Sequence, residues 1–242
     1  MFAAGIAAGT SNTVVGSGTL ITFPVLLGIG LGPVTANVSN TLGLVPGSAM
    51  GAWGYRRELL GQGRRAVRFG CITAAGGALG GVLLLTLPAK AFKTIVPVLI
   101  VAALLLVVFG PRLTAALEHT RHRARSDIGI ALVALVFLTG VYGGYFGAAQ
   151  GVLLMGIFGL LLTESLQRQN ALKNVLAGVA NAVAAIVFIF AAHIDWAAAG
   201  LVAGGAVLGA VLGARVGRRL SQPVLRAVIV AVGIAAIVKL LA

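Results

Sequence analysis

Acidic side chains are scarce in this sequence. The chain of 242 residues has five Asp and Glu against 18 Lys and Arg, and only 10% of it is charged. A water-soluble domain carries about 25% charged residues, so this composition cannot make an ordinary soluble surface. The five acids, Glu58, Glu118, Asp127, Glu164 and Asp195, all lie between apolar runs or at their ends. None is left for the middle of a membrane segment, where a cation pathway normally needs one. Paired carboxylates for acid–base work are missing, and no base stands beside a serine in an apolar run, so no enzyme is expected. Cys71 is the single cysteine, which excludes an internal disulfide and a cysteine-rich metal site. No His/Cys spacing suits a metal, and neither metal nor cofactor is expected. Aromatics make up 6% and do not interleave with the arginines, so the net charge of +13 does not indicate nucleic acid.

Apolar sequence is what the chain has in abundance. It is 59% hydrophobic with a mean hydropathy of +1.06. Runs over 95–110, 128–146 and 175–192 reach or approach the roughly 20 residues that cross a hydrocarbon core. Such runs recur along the whole length, which one signal peptide would not explain. Basic residues sit in short connections, where they set orientation and meet the anionic headgroups of the bilayer. The expected class is an all-α polytopic membrane protein.

The order of its parts repeats. The first half reads GTSNTVVGSGTLITFP (9–24), ANVSN (36–40), an arginine-rich loop, a small-residue stretch AAGGALGG and a closing apolar run. The second reads GVYGGYFGAAQGVLLM (140–155), NALKN (170–174), HIDW, AGGAVLGAVLGA and a closing run. We therefore divide the chain into a first transmembrane repeat over 1–110, a basic cytoplasmic linker over 111–127 and a second repeat over 128–242. Equivalent connections carry opposite charge. Arg56, Arg57, Arg64, Arg65 and Arg68 have no basic counterpart around 193–196, whereas Arg215, Arg218 and Arg219 answer only Lys90 and Lys93. The positive-inside rule then places equivalent loops on opposite sides, as in inverted-topology repeats. Segments 1–32 and 128–162 must each begin and end on one side, so each is a broken or re-entrant hairpin followed by three transmembrane helices. About ten helical pieces are predicted, with both termini outside.

Glycines at 16, 18, 147 and 151 allow the two breaks, because glycine tolerates unusual backbone angles and close approach. Beside them lie Asn12, Ser17, Thr19, Tyr145 and Gln150. Non-helical backbone survives in a bilayer only where protein or a cavity shelters it, and freed amides at a half-helix start suit an anion. Gly76, Gly80, Gly81, Gly205, Gly209 and Gly213 read instead as close-packing positions. Aligning ANVSN with NALKN sets Asn40 opposite Asn174 and Ser39 opposite Lys173. Asn37 and Asn40, like Asn170, Lys173 and Asn174, share a helix face. Lys173 is either a counter-charge for an anion or a side chain whose long stem snorkels to the interface. The candidate substrate-binding set is thus Asn12, Ser17, Gly18, Thr19, Asn37, Asn40, Tyr145, Gln150, Asn170, Lys173 and Asn174.

AGTSNTVVGSGTLITFPVL, ANVSNTLGLVPGS, GYRREL, NALKNVLAGVAN and IDW followed by AGGAVLGAVLGARVGRRL resemble the TauE/SafE family of sulfite exporters and organosulfur permeases, over essentially the whole chain. The resemblance implies a plasma (inner) membrane secondary carrier for a small anion such as sulfite, a sulfonate or sulfoacetate. It makes the two glycine breaks and the Asn40/Asn174 pair the central elements. The second break departs from the glycine pattern, with Ala149 where the first has Gly18. A passive anion channel is the alternative from another class.

Overall fold

The computed structural model describes residues 1–118, 129–216 and 234, and nine helices are found among them. They are α1 (Phe2–Val14), α2 (Thr19–Gly28), α3 (Pro33–Gly54), α4 (Gly63–Thr86), α5 (Ala89–Glu118), α6 (Ile130–Tyr145), α7 (Gln150–Leu161), α8 (Leu166–Ala191) and α9 (Trp196–Val216). Four of them, over 63–86, 90–109, 166–191 and 196–215, are long and apolar enough to cross a membrane. Side chains such as Val98, Leu105, Ile186, Phe190 and Leu208 stand exposed on these helices, as a lipid-facing surface requires. The expected closing run of the second half, with Arg218 and Arg219, lies outside the described residues. So does the linker from 119 to 127, while its residues 111–118 continue α5.

Local sequence sets the ends of these helices. Pro33 opens α3 from its first turn, where its missing N–H costs nothing. The Asp195 carboxylate caps α9 by accepting from the Ala198 amide at 2.8 Å. Both expected breaks are present, over 15–18 and 146–149. Each falls at a glycine with positive φ, Gly16 (+88°) and Gly147 (+72°). After the first break the chain doubles back: a Cβ on Gly18 would lie 2.7 Å from the Ala8 carbonyl, ten residues earlier.

The glycines expected to pack helices do so, in two seams. A Cβ on Gly205 or Gly209 of α9 would come within 2.2 or 2.0 Å of the Phe2 or Ile6 carbonyl of α1. On α4, Gly76 and Gly80 meet the Phe137 and Val141 carbonyls of α6 in the same manner, at 2.4 and 2.0 Å. In both seams the paired numbers rise together, so α1 runs parallel to α9 and α6 parallel to α4. Only glycine permits backbones this close, which is the small-residue packing that bilayers favour. Helices α3 and α8 fill the space between the seams and carry the polar interior, with Asn37, Ser39, Asn40, Asn170, Lys173 and Asn174 all buried.

Candidate functional site

The two breaks touch. The Gly151 amide donates to the Gly16 carbonyl at 3.1 Å, and a Cβ on Gly16 would sit 2.3 Å from the Gly151 Cα. Around this junction the candidate residues form three contiguous groups.

The first group closes the C-terminal end of α1. A helix leaves its last carbonyls without intrahelical partners, and inside a bilayer no water can satisfy them. Here α8 reaches across to do so. Lys173 Nζ donates to the Asn12 carbonyl at 2.9 Å and to the Thr13 carbonyl at 3.2 Å. The Asn170 and Asn174 amides donate to the same Thr13 oxygen at 3.3 and 3.2 Å. Lys173 is 0% exposed, so its stem turns inward rather than out to the interface. The Asn12 side chain itself turns to α3 and donates to Ser48 Oγ at 3.2 Å.

A second group surrounds the start of α2. The hydroxyls of Ser11 and Ser17 share a hydrogen bond of 2.8 Å across the break. Gly18 packs against Asn12 Cβ. From α3, the Asn40 amide donates to Thr19 Oγ1 at 3.3 Å, and its carbonyl accepts from the Thr22 hydroxyl. The Ser17, Gly18 and Thr19 amides donate to no backbone carbonyl among the described residues.

The third group mirrors the first at the end of α6. The Asn37 amide donates to the Tyr145 carbonyl at 3.0 Å. Gln150 lies over Gly143 and donates to the Thr139 carbonyl at 3.1 Å, while the Tyr142 hydroxyl bonds the Ala148 carbonyl. Asn37 Oδ1, Tyr145 OH and Asn170 Oδ1 are buried without a partner among the described residues. Rings join the groups, since Phe23 of α2 meets Phe146 of the second break edge-to-face at 5.2 Å.

All eleven candidates therefore line one junction, but Asn12 enters it through its carbonyl as much as its amide. Thr22, Ser48 and the Thr13 carbonyl were not among them. The Thr19/Thr22 spacing of three carries a readable signal for the first; a main-chain carbonyl carries none.

At one surface, Arg65 of α4 and Arg168 of α8 hold the Glu164 carboxylate at 2.8 and 2.6 Å. Arg168 also donates to the Leu60 carbonyl at 3.0 Å, and Gln62 to the Arg168 carbonyl at 3.2 Å. The hydrogen bond from Arg168, helped by that from Arg65, holds the Glu164 carboxyl below its ordinary value. At the end of α8 away from this clamp, the Asp195 amide donates to Ser39 Oγ at 2.9 Å, a neutral bond between the halves.

The family model "Sulfite exporter TauE/SafE" matches residues 1–240. The chain belongs to this family. TauE/SafE relatives include a "Probable membrane transporter protein" of Haemophilus influenzae, 29% identical over 86% of this chain and 80% of its own. ORF9 of Sinorhizobium sp is 28% identical over 100% of this chain and 91% of its own. YfcA of Escherichia coli K12 is 27% identical over 81% and 72%. Both carry the same description, probable membrane transporter protein. No solved structure matches. This TauE/SafE chain is accordingly a multi-pass membrane protein of a transporter family.

Proposed function

We propose that this chain is a secondary active transporter that carries a small sulfur-containing anion, such as sulfite, a sulfonate or sulfoacetate, across the plasma membrane by alternating access. The observation that carries the reading is a surplus of donors around the α1 end. A carbonyl oxygen has two lone pairs, yet the Thr13 oxygen is approached by three donors, from Asn170, Lys173 and Asn174. The Lys173 Nζ among them is fully buried and pairs with no carboxylate among the described residues. An uncompensated charge in such a place costs several kcal/mol, and a bound anion offsets that cost. Asn12, Ser17, Gly18, Thr19, Asn37, Asn40, Tyr145 and Gln150 complete the binding shell in this reading. The family's description as a sulfite exporter favours a sulfur oxyanion.

Alternating access in this proposal is a rocking of two inverted halves about the Gly16–Gly151 contact. Support comes from the parallel α1/α9 and α4/α6 seams, which exchange under the repeat. The direct contact of the two breaks favours a carrier over an open channel.

The test is thermal stability of the purified protein with sulfite, sulfate, thiosulfate, sulfoacetate, taurine or acetate. A ligand at about 100 times its Kd adds about 2.7 kcal/mol, or about 5 °C or more at this chain length. We expect a shift with one or more of the sulfur oxyanions, abolished in Lys173→Met and kept in Lys90→Met. No shift with any anion, or an undiminished shift in Lys173→Met, overturns the reading.

A further inference from the structure

The hydrogen-bond inventory of Lys173 does not match an ammonium. Its Nζ has two acceptors among the described residues, the carbonyls of Asn12 and Thr13. A neutral amine has two N–H groups, the same number as the carbonyls within reach. An ammonium has a third N–H, for which the described residues supply no acceptor. Every acceptor the side chain does have is uncharged.

The surroundings do not make up the difference. Helices α1, α3, α4, α6 and α7 pack against α8. Of these, α1, α3 and α7 contain no titratable side chain. The titratable groups on the others are Arg64, Arg65, Arg68 and Cys71 of α4 and Tyr142 and Tyr145 of α6. On α8 itself the remaining one is Arg168, whose guanidinium is held by Glu164. Arg65 holds the other oxygen of the same carboxylate, Cys71 is exposed, and the Tyr142 hydroxyl is spent on the Ala148 carbonyl. The Tyr145 hydroxyl is buried without a partner among the described residues and makes no hydrogen bond with Lys173, and no carboxylate in this set stands beside Lys173 to balance a proton on it.

We infer that Lys173 is the proton carrier of the transport cycle, neutral when the site is empty and protonated only together with a bound anion. The inference rests on the anion reading above and adds to it the coupling ion. In the binding step the amine lone pair takes one proton from the aqueous phase that the site faces. The new N–H then points to the anion, and the ammonium cancels one of its negative charges. Release on the other side reverses both events. One proton thus travels with each anion, and the empty carrier returns without charge at this position. By linkage, the factor by which the anion tightens proton binding equals the factor by which the proton tightens anion binding.

The experiment uses the full chain in detergent and probes that do not themselves titrate between about pH 6 and about pH 9: methanesulfonate, sulfoacetate, thiosulfate and sulfate. Binding is followed by calorimetry, and proton exchange by a pH indicator in weak buffer. For a probe that binds, we expect uptake approaching one proton per anion at the alkaline end. Its Kd should rise with pH, approaching tenfold per unit. In Lys173→Arg, whose guanidinium stays charged, binding should release or take up no proton and show no pH dependence. Anion binding without proton uptake in the native protein, or a Kd that is flat with pH, overturns the inference and leaves the anion reading intact. Equal proton uptake in native protein and Lys173→Arg assigns the proton elsewhere and also overturns it. Binding of none of the probes removes the anion reading itself, and this inference with it.

Discussion

Two small residues at the junction show how closely the backbone is specified. Gly16 is left-handed at φ +88°, and a Cβ there would lie 2.3 Å from the Gly151 Cα. Gly16→Ala therefore meets a left-handed cost of about 1–2 kcal/mol and a backbone collision that only separation of the breaks can relieve. We expect its melting temperature to fall by about 5 °C or more, while Gly156→Ala, whose added Cβ meets nothing within 4 Å, holds or gains stability. Similar melting in the two variants would contradict this account of the junction. Ala149 is also left-handed, at φ 58°, and is fully buried. Nothing in the sequence announces it, because alanine is not a residue that favours such a backbone. Lys173 was half legible: its type and position marked it for a role, but its partners are main-chain carbonyls 161 and 160 residues away, which leave no trace in the side-chain pattern.

Among the elements, the broken hairpins were the most legible. A helix interrupted inside an apolar run needs glycine at the bend and polar side chains beside it for the freed backbone groups, and both stand in the sequence at each break. Their closure was not legible. The starts of α4 and α8 meet through Arg65, Glu164 and Arg168, a clamp that spans both halves at one surface. A surface pair of this kind contributes about 1 kcal/mol or less, but its sign with pH is fixed. The Glu164 carboxyl is held below its unfolded value. Its contribution is therefore complete above the ordinary carboxylate range, about pH 4.3, and is lost as pH falls through the lowered folded value. Glu164→Gln should lose a little stability at neutral pH and show a shallower fall in melting temperature below about pH 5 than the native chain. Parallel acid profiles would mean that the clamp carries no net stability.

For the molecule as a whole, the order of parts could be read from the sequence, and the pairing of parts could not, since seams such as α1 on α9 join residues nearly the full described chain apart. The proposed inverted arrangement makes a direct prediction. In a Cys71→Ser background, single cysteines at Leu60 and Ser165, both exposed, should react with an impermeant thiol reagent from one side of the membrane, and a cysteine at exposed His193 from the other. Labelling of all three from one side would exclude it. The halves also exchange the groups that close their broken helices. Asn170, Lys173 and Asn174 of the second serve the end of α1, and Asn37 of the first serves the end of α6. During synthesis this imposes a schedule. The Thr13 carbonyl cannot find its Asn174 donor until another 161 residues have been made. At about 5–20 residues per second, that is a wait on the order of ten seconds. The α1–α2 hairpin, the earlier of the two to emerge, is thus among the last parts to settle, and a chain halted before α8 lacks the donors that close the end of α1.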